Sequence, residues 1–123
     1  VGHLLGLDVH DMEDLGDRAG YPEGRSRDTQ FGLSYLRLDR ELVEGMAVTI
    51  EPGFYQIPAI LADATRCAFA EDCLDRSALA RFADVRGIRI EDDILVTSGA
   101  PLVMSAAAPK RADVVEATVR SGR

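Results

Sequence analysis

Thr49-Ile50-Glu51-Pro52-Gly53-Phe54-Tyr55 is the stretch on which the reading of this chain turns. Met46 to Glu51 is a β-rich run. It stops at Pro52-Gly53 because proline removes a backbone donor and glycine permits a tight bend. The run therefore reads as a strand with a carboxylate, Glu51, at its end, and such a glutamate is ordinarily an exposed terminus. Two distant strings change that reading. Gly2-His3-Leu4-Leu5-Gly6-Leu7-Asp8-Val9-His10-Asp11 supplies two imidazoles, and Gly87-Ile88-Arg89-Ile90-Glu91-Asp92-Asp93 supplies a second carboxylate, Glu91. His3, Glu51 and Glu91 in strand-like settings form an oxygen-rich, anionic donor set of the kind that a hydrolytic pair of divalent ions draws from several strands.

Around these strings the chain has the composition of an ordinary globular protein: 123 residues, 46% hydrophobic and 28% charged, enough for one domain with a modest core. No apolar run approaches the roughly 20 residues of a membrane span, and no basic-then-apolar leader opens the sequence, so the expected setting is cytoplasmic. The net charge of −7 argues against nucleic acid as a partner, which would need Lys and Arg concentrated on one face. Acidic residues gathered around cations are compatible with that balance, although most of them need only keep the surface soluble. Cys67 and Cys73 have neither a redox nor a zinc-knuckle spacing and read as reduced thiols.

Residues 3–9 alternate loosely, with Leu5, Leu7 and Val9 on one side, which predicts a strand enclosed on both faces. Residues 14–32, punctuated by Gly16, Gly20, Pro22, Gly24 and Gly32, predict a long functional loop. A short strand over Ser34–Leu38 follows. The Ala- and Leu-rich segment from Ile57 to Phe82 predicts two helical pieces broken near Asp72. Ile88–Thr97 and Leu102–Met104 predict strands around a turn at Ser98–Pro101, and Lys110–Val119 a closing helix with Val114, Val115 and Val119 as its apolar side. On the extended strand Arg89 and Glu91 would share a face while Ile88, Ile90 and Ile94 pack.

Taken in order, the strings resemble the metallopeptidases of the pita-bread fold, the group of methionine aminopeptidase, aminopeptidase P and prolidase. The likeness is nearest to the prolidase (Xaa-Pro dipeptidase) branch. It is carried by Asp8-Val9-His10-Asp11, Gly20-Tyr21-Pro22-Glu23-Gly24, Leu36-Arg37, Glu44-Gly45-Met46, Glu51-Pro52-Gly53-Phe54-Tyr55, the segment from Leu74-Asp75-Arg76 to Arg81-Phe82, and Arg89-Ile90-Glu91-Asp92-Asp93. The resemblance implies an α+β fold, the C-terminal portion of a pita-bread catalytic domain with a curved antiparallel sheet flanked by helices. It further implies two divalent ions, typically Mn2+, with His3 as a terminal ligand, Glu51 as ligand and proton carrier, and Glu91 bridging the ions. His10 would bind substrate beside the scissile amide and stabilise the tetrahedral intermediate. Arg37 would hold the proline carboxylate, with Arg89 in support.

The implied activity is hydrolysis of Xaa-Pro dipeptides by a metal-bridged hydroxide in the full-length protein. An arginine suits a carboxylate because its planar fork holds both oxygens. A longer peptide would leave that buried cation unpaired, at a penalty of about 2–5 kcal/mol. Two further aspartate ligands and a substrate-binding histidine precede His3 in the family. Asp8, Asp11 and Asp14 do not replace the aspartates, so residues 1–123 are expected to be an incomplete catalytic domain that binds metal poorly and is inactive alone. Residues 12–19 are longer than the family's glycine-rich link and bear on the substrate mouth. Alternatives are aminopeptidase P-type release of a residue ahead of proline, and a non-catalytic pita-bread module that binds peptides or proteins. A homodimer is expected by resemblance.

Overall fold

The structure, a computed structural model, describes residues 2–12 and 15–122; Val1, Glu13, Asp14 and Arg123 lie outside the described residues. It has two compact units, the first made of the chain up to Glu51 together with the chain from Ile90, the second of Pro52–Arg89.

The first unit is built on a four-stranded antiparallel sheet. Its strands are β1 (Leu4–Leu5), β2 (Ala47–Ile50), β5 (Asp92–Leu95) and β6 (Leu102–Val103), in the spatial order β1-β2-β5-β6. Leu4 faces Val48, Val48 faces Ile94, and Ile94 faces Val103. The central strand β2 carries the core: Val48 and Thr49 are each 1% exposed. Burying Val48 stabilises the unit by about 1.5–3 kcal/mol. The ladder extends beyond β2 through Gly45 N to Val96 O and Val96 N to Met46 O.

The strand expected over residues 3–9 is confined to Leu4–Leu5. Gly6 N donates to Asp8 O and Asp11 N returns to Leu4 O, so the chain folds back on itself, leaving Leu7 and Val9 exposed. The Gly-rich loop contains one helical turn, α1 (Asp17–Gly20), whose Ala19 and Gly20 are buried along with Tyr21. In place of the strand expected over Ser34–Leu38 the chain forms a 3-10 turn at Leu33–Tyr35. Gly32, at φ +92°, enters that turn in a conformation that disfavours other residues. Helix α5 (Ala112–Arg120) forms close to its expected bounds, but Val114, Val115 and Val119 are exposed.

The second unit pairs β3 (Gly53–Tyr55) with β4 (Gly87–Arg89), Phe54 facing Ile88. Between them the expected pair of helices is divided into α2 (Pro58–Leu61), α3 (Ala64–Cys67), a 3-10 stretch Ala68–Cys73, and α4 (Arg76–Ala80). Asp63 and Asp75 break the run because each caps the helix that follows, Asp63 accepting from Thr65 N and Arg66 N, Asp75 from Ala78 N. The Ser77 hydroxyl, then the Ala78 amide, hold the Asp75 carboxyl below its ordinary range. Cys67 is buried, with its thiol against Ile60 O, and Cys73 is exposed; both are free thiols, as expected.

Candidate metal centre and adjoining cavity

Strand register assembles the centre. Leu4 faces Val48, so the next step along the pair sets His3 level with Thr49; Ile50 faces Asp92, so the next step sets Glu51 level with Glu91. One ligand atom from each of His3, Glu51 and Glu91 then lies within 4.8 Å of the other two. His3 is buried, Glu51 half-buried and Glu91 exposed.

Hydrogen bonds aim these groups. His3 Nδ1 lies 3.0 Å from Leu4 O, which can only accept, so Nδ1 carries the ring proton and Nε2 presents its lone pair. Nε2 is 3.2 Å from Glu51 Oε1. An unprotonated Nε2 and a carboxylate oxygen at that distance can share one cation. Adjacent ligands of an octahedral ion bound at about 2.1 Å are separated by about 3 Å, so the imidazole-carboxylate pair fits a divalent cation in spacing and chemistry.

Thr49 ties this pair together. Its hydroxyl accepts from His3 N at 3.0 Å and donates to Glu51 Oε1 at 2.9 Å, while Thr49 N donates to His3 O at 2.9 Å. Next to Glu91, Asp92 Oδ1 accepts from Ser105 Oγ at 2.6 Å and pairs with Lys110 Nζ at 2.8 Å. Lys110, then Ser105, hold the Asp92 carboxyl below its ordinary range. Thr49's role here is not visible in composition. Its i, i+2 spacing from Glu51 on a strand was the available signal. Nothing local in the sequence pairs Asp92 with Ser105 or Lys110.

The remaining expected site residues divide between the units. His10 is exposed, with its ring edge-on to that of His3 at 4.5 Å between centroids. Arg37 and His3 line one cavity of about 310 Å3, together with Asp11, Met12, Arg27 and Tyr35. Arg37 is exposed, which reduces the penalty against longer peptides expected for a buried cation. Arg89 lies in the second unit on β4, where its Nε donates to Tyr55 Oη at 3.0 Å and its guanidinium sits over the Tyr55 ring. Because β4 ends at Arg89 and β5 begins at Asp92, the expected single strand face shared by Arg89 and Glu91 is not formed, and Ile88 and Ile90 are exposed rather than packed.

A model of the family described as metallopeptidase family M24 matches residues 1–98, and with a mixed helix and antiparallel-sheet fold carrying a His-Glu-Glu donor set, this chain belongs to that family of pita-bread metallopeptidases. Among curated relatives, it is 41% identical over 118 residues to the Xaa-Pro dipeptidase of Homo sapiens, covering 95% of this chain. It is 42% identical over 106 residues to the Xaa-Pro dipeptidase of Xanthomonas campestris pv. campestris strain B100, covering 82% of this chain. The chain spans 22% of the length of each of these relatives. Among the described residues no helix is long and apolar enough to cross a membrane.

Proposed function

We propose that this chain contributes, within its full-length protein, to a manganese-dependent Xaa-Pro dipeptidase with two metal ions. The observation that carries the reading is the convergence of His3, Glu51 and Glu91 within 4.8 Å, with His3 and Arg37 on one cavity. Divalent ions, when bound, polarise the scissile carbonyl and acidify the attacking water.

The chain's own residues do the rest. His3 offers Nε2 as a terminal ligand because Leu4 O holds the proton on Nδ1. Glu91 would hold metal with its carboxylate alongside His3 and Glu51. Glu51, its Oε1 fixed by Thr49, is both a ligand and the carboxylate that carries a proton to the leaving proline nitrogen. His10, held edge-on to His3, donates to the oxygen on which negative charge develops. Arg37 takes the free carboxylate of the C-terminal proline in its planar fork; a supporting role for Arg89 on the substrate side rests on the resemblance alone. The three donors among the described residues are fewer than two ions require, so on their own they are expected to hold metal weakly. A homodimer, by resemblance, and a cytoplasmic setting are parts of the same proposal.

The test is hydrolysis by the full-length, manganese-loaded protein of Ala-Pro and of Ala-Pro-Ala. Cleavage of the dipeptide in preference to the tripeptide, abolished by Glu91→Ala, is expected. Preference for the tripeptide would indicate aminopeptidase P-type activity, and no manganese bound after loading would indicate a non-catalytic module.

A further inference from the structure

The segment that presents Arg37 also presents an aromatic ring to the same cavity. The 3-10 turn Leu33–Tyr35 ends in Leu36, which is extended at φ −60° and ψ 132°. Side chains on either side of an extended residue project alike, and the middle one projects oppositely. Here Tyr35 and Arg37 line the cavity with His3, whereas Leu36 lines a separate cleft with Tyr21 and Leu33. The alternation is held in place, since the buried Tyr21 donates its hydroxyl to Leu36 O at 2.8 Å and a side chain at Gly20 would collide with the Arg37 carbonyl. The Tyr35 ring is 71% exposed and meets Phe31 edge-on, with ring centroids 6.2 Å apart. A tyrosine so exposed contributes little to the core; its surface is available to an occupant.

Resting on the dipeptidase reading above, we infer that Tyr35 is a specificity-determining residue: its ring is the wall against which the pyrrolidine ring of the C-terminal residue packs when Arg37 holds that residue's carboxylate. A saturated ring offers polarised C–H groups to the negative face of an aromatic, and it loses little freedom on binding because it is already closed. Selectivity for proline over an open-chain N-alkyl residue then comes from Tyr35, while Arg37 sets only the requirement for a free carboxylate.

The experiment compares Ala-Pro with Ala-sarcosine, which keeps the tertiary amide and the carboxylate but lacks the ring, in the full-length manganese-loaded protein. Tyr35→Ala is expected to lower the ratio of kcat/KM for Ala-Pro over Ala-sarcosine by about five- to tenfold. Tyr35→Phe, which keeps the ring, recovers the ratio. Calorimetry gives a reading independent of turnover: L-proline should bind more tightly than sarcosine to the wild type and equally to Tyr35→Ala. If Arg37→Ala raises KM for Ala-Pro while Tyr35→Ala leaves both the ratio and the proline preference unchanged, the dipeptidase reading stands and the Tyr35 inference is overturned. If the wild type splits neither dipeptide, the reading itself fails and the inference falls with it.

Discussion

Replacing Thr49 by valine changes almost nothing in volume and removes one hydroxyl. That hydroxyl accepts from His3 N at 3.0 Å and donates to Glu51 Oε1 at 2.9 Å, at a residue 1% exposed. Valine leaves the His3 N–H unpaired in a buried position, a cost of about 1–3 kcal/mol, and removes a hydrogen bond to a carboxylate of similar worth. Relief of the hydroxyl's own desolvation offsets part of this, so a net loss of about 2–4 kcal/mol is expected. Both contacts belong to residues that supply ligands to the proposed centre, and loss of such support weakens metal binding by about 10- to 100-fold. The assay is a competitive manganese titration of the full-length protein, with urea denaturation in parallel. Thr49→Ser keeps the hydroxyl and should keep the metal affinity, at a stability cost of about 1 kcal/mol for the missing methyl. Equal manganese affinity for Thr49→Val and wild type would refute the idea that Thr49 aims His3 and Glu51.

Three further outcomes are expected. Arg37→Ala should raise KM for Ala-Pro about tenfold with kcat little changed, as loss of a charge-assisted contact made equally in the ground and transition states does, and Arg37→Lys should recover only part of it; an unchanged KM would exclude Arg37 from carboxylate binding. Asp63→Ala removes the acceptor for Thr65 N and Arg66 N and should destabilise the protein by about 1 kcal/mol in denaturant melts, whereas Asp63→Asn should lose less. Because Asp75 is held below its ordinary pKa by Ser77 and Ala78, its cap contributes stability above the ordinary aspartate range and loses it as pH falls through the lower, folded value. The Ala78 amide shift, followed by NMR, should therefore titrate with a midpoint below about 3.9, and a midpoint at or above that value would contradict the cap.

What could be read from the sequence was governed by how local its cause is. The end of the Met46–Glu51 strand was legible because Pro52 removes a donor, and β2 ends at Ile50; Gly53, expected to permit a tight bend, instead opens β3. Residues 3–9 misled because their alternation ignores backbone return: Asp11 N bonds Leu4 O, which closes a loop where a strand was expected. The strand at Ser34–Leu38 failed similarly, since Gly32 at positive φ directs the chain into a 3-10 turn that apolar spacing does not register. The donors His3, Glu51 and Glu91 were legible as residue types in strand-like strings, but their convergence depends on the registers Leu4–Val48 and Ile50–Asp92, which are tertiary facts. The same holds for Thr49, Ser105 and Lys110, whose partners come from elsewhere in the chain. The expected partnership of Arg89 with Glu91 assumed a continuous strand across Ile90, and the strand is interrupted there.

The most direct test of the central claim is the stoichiometry and spin coupling of manganese in the full-length protein, measured by titration with electron paramagnetic resonance for the wild type and for Glu91→Gln. The wild type should take up two ions per chain and show the coupled spectrum of a bridged pair, and Glu91→Gln should lose the coupling and at least one ion. Two ions bound with unchanged coupling in Glu91→Gln would contradict the assignment of His3, Glu51 and Glu91 as the metal centre.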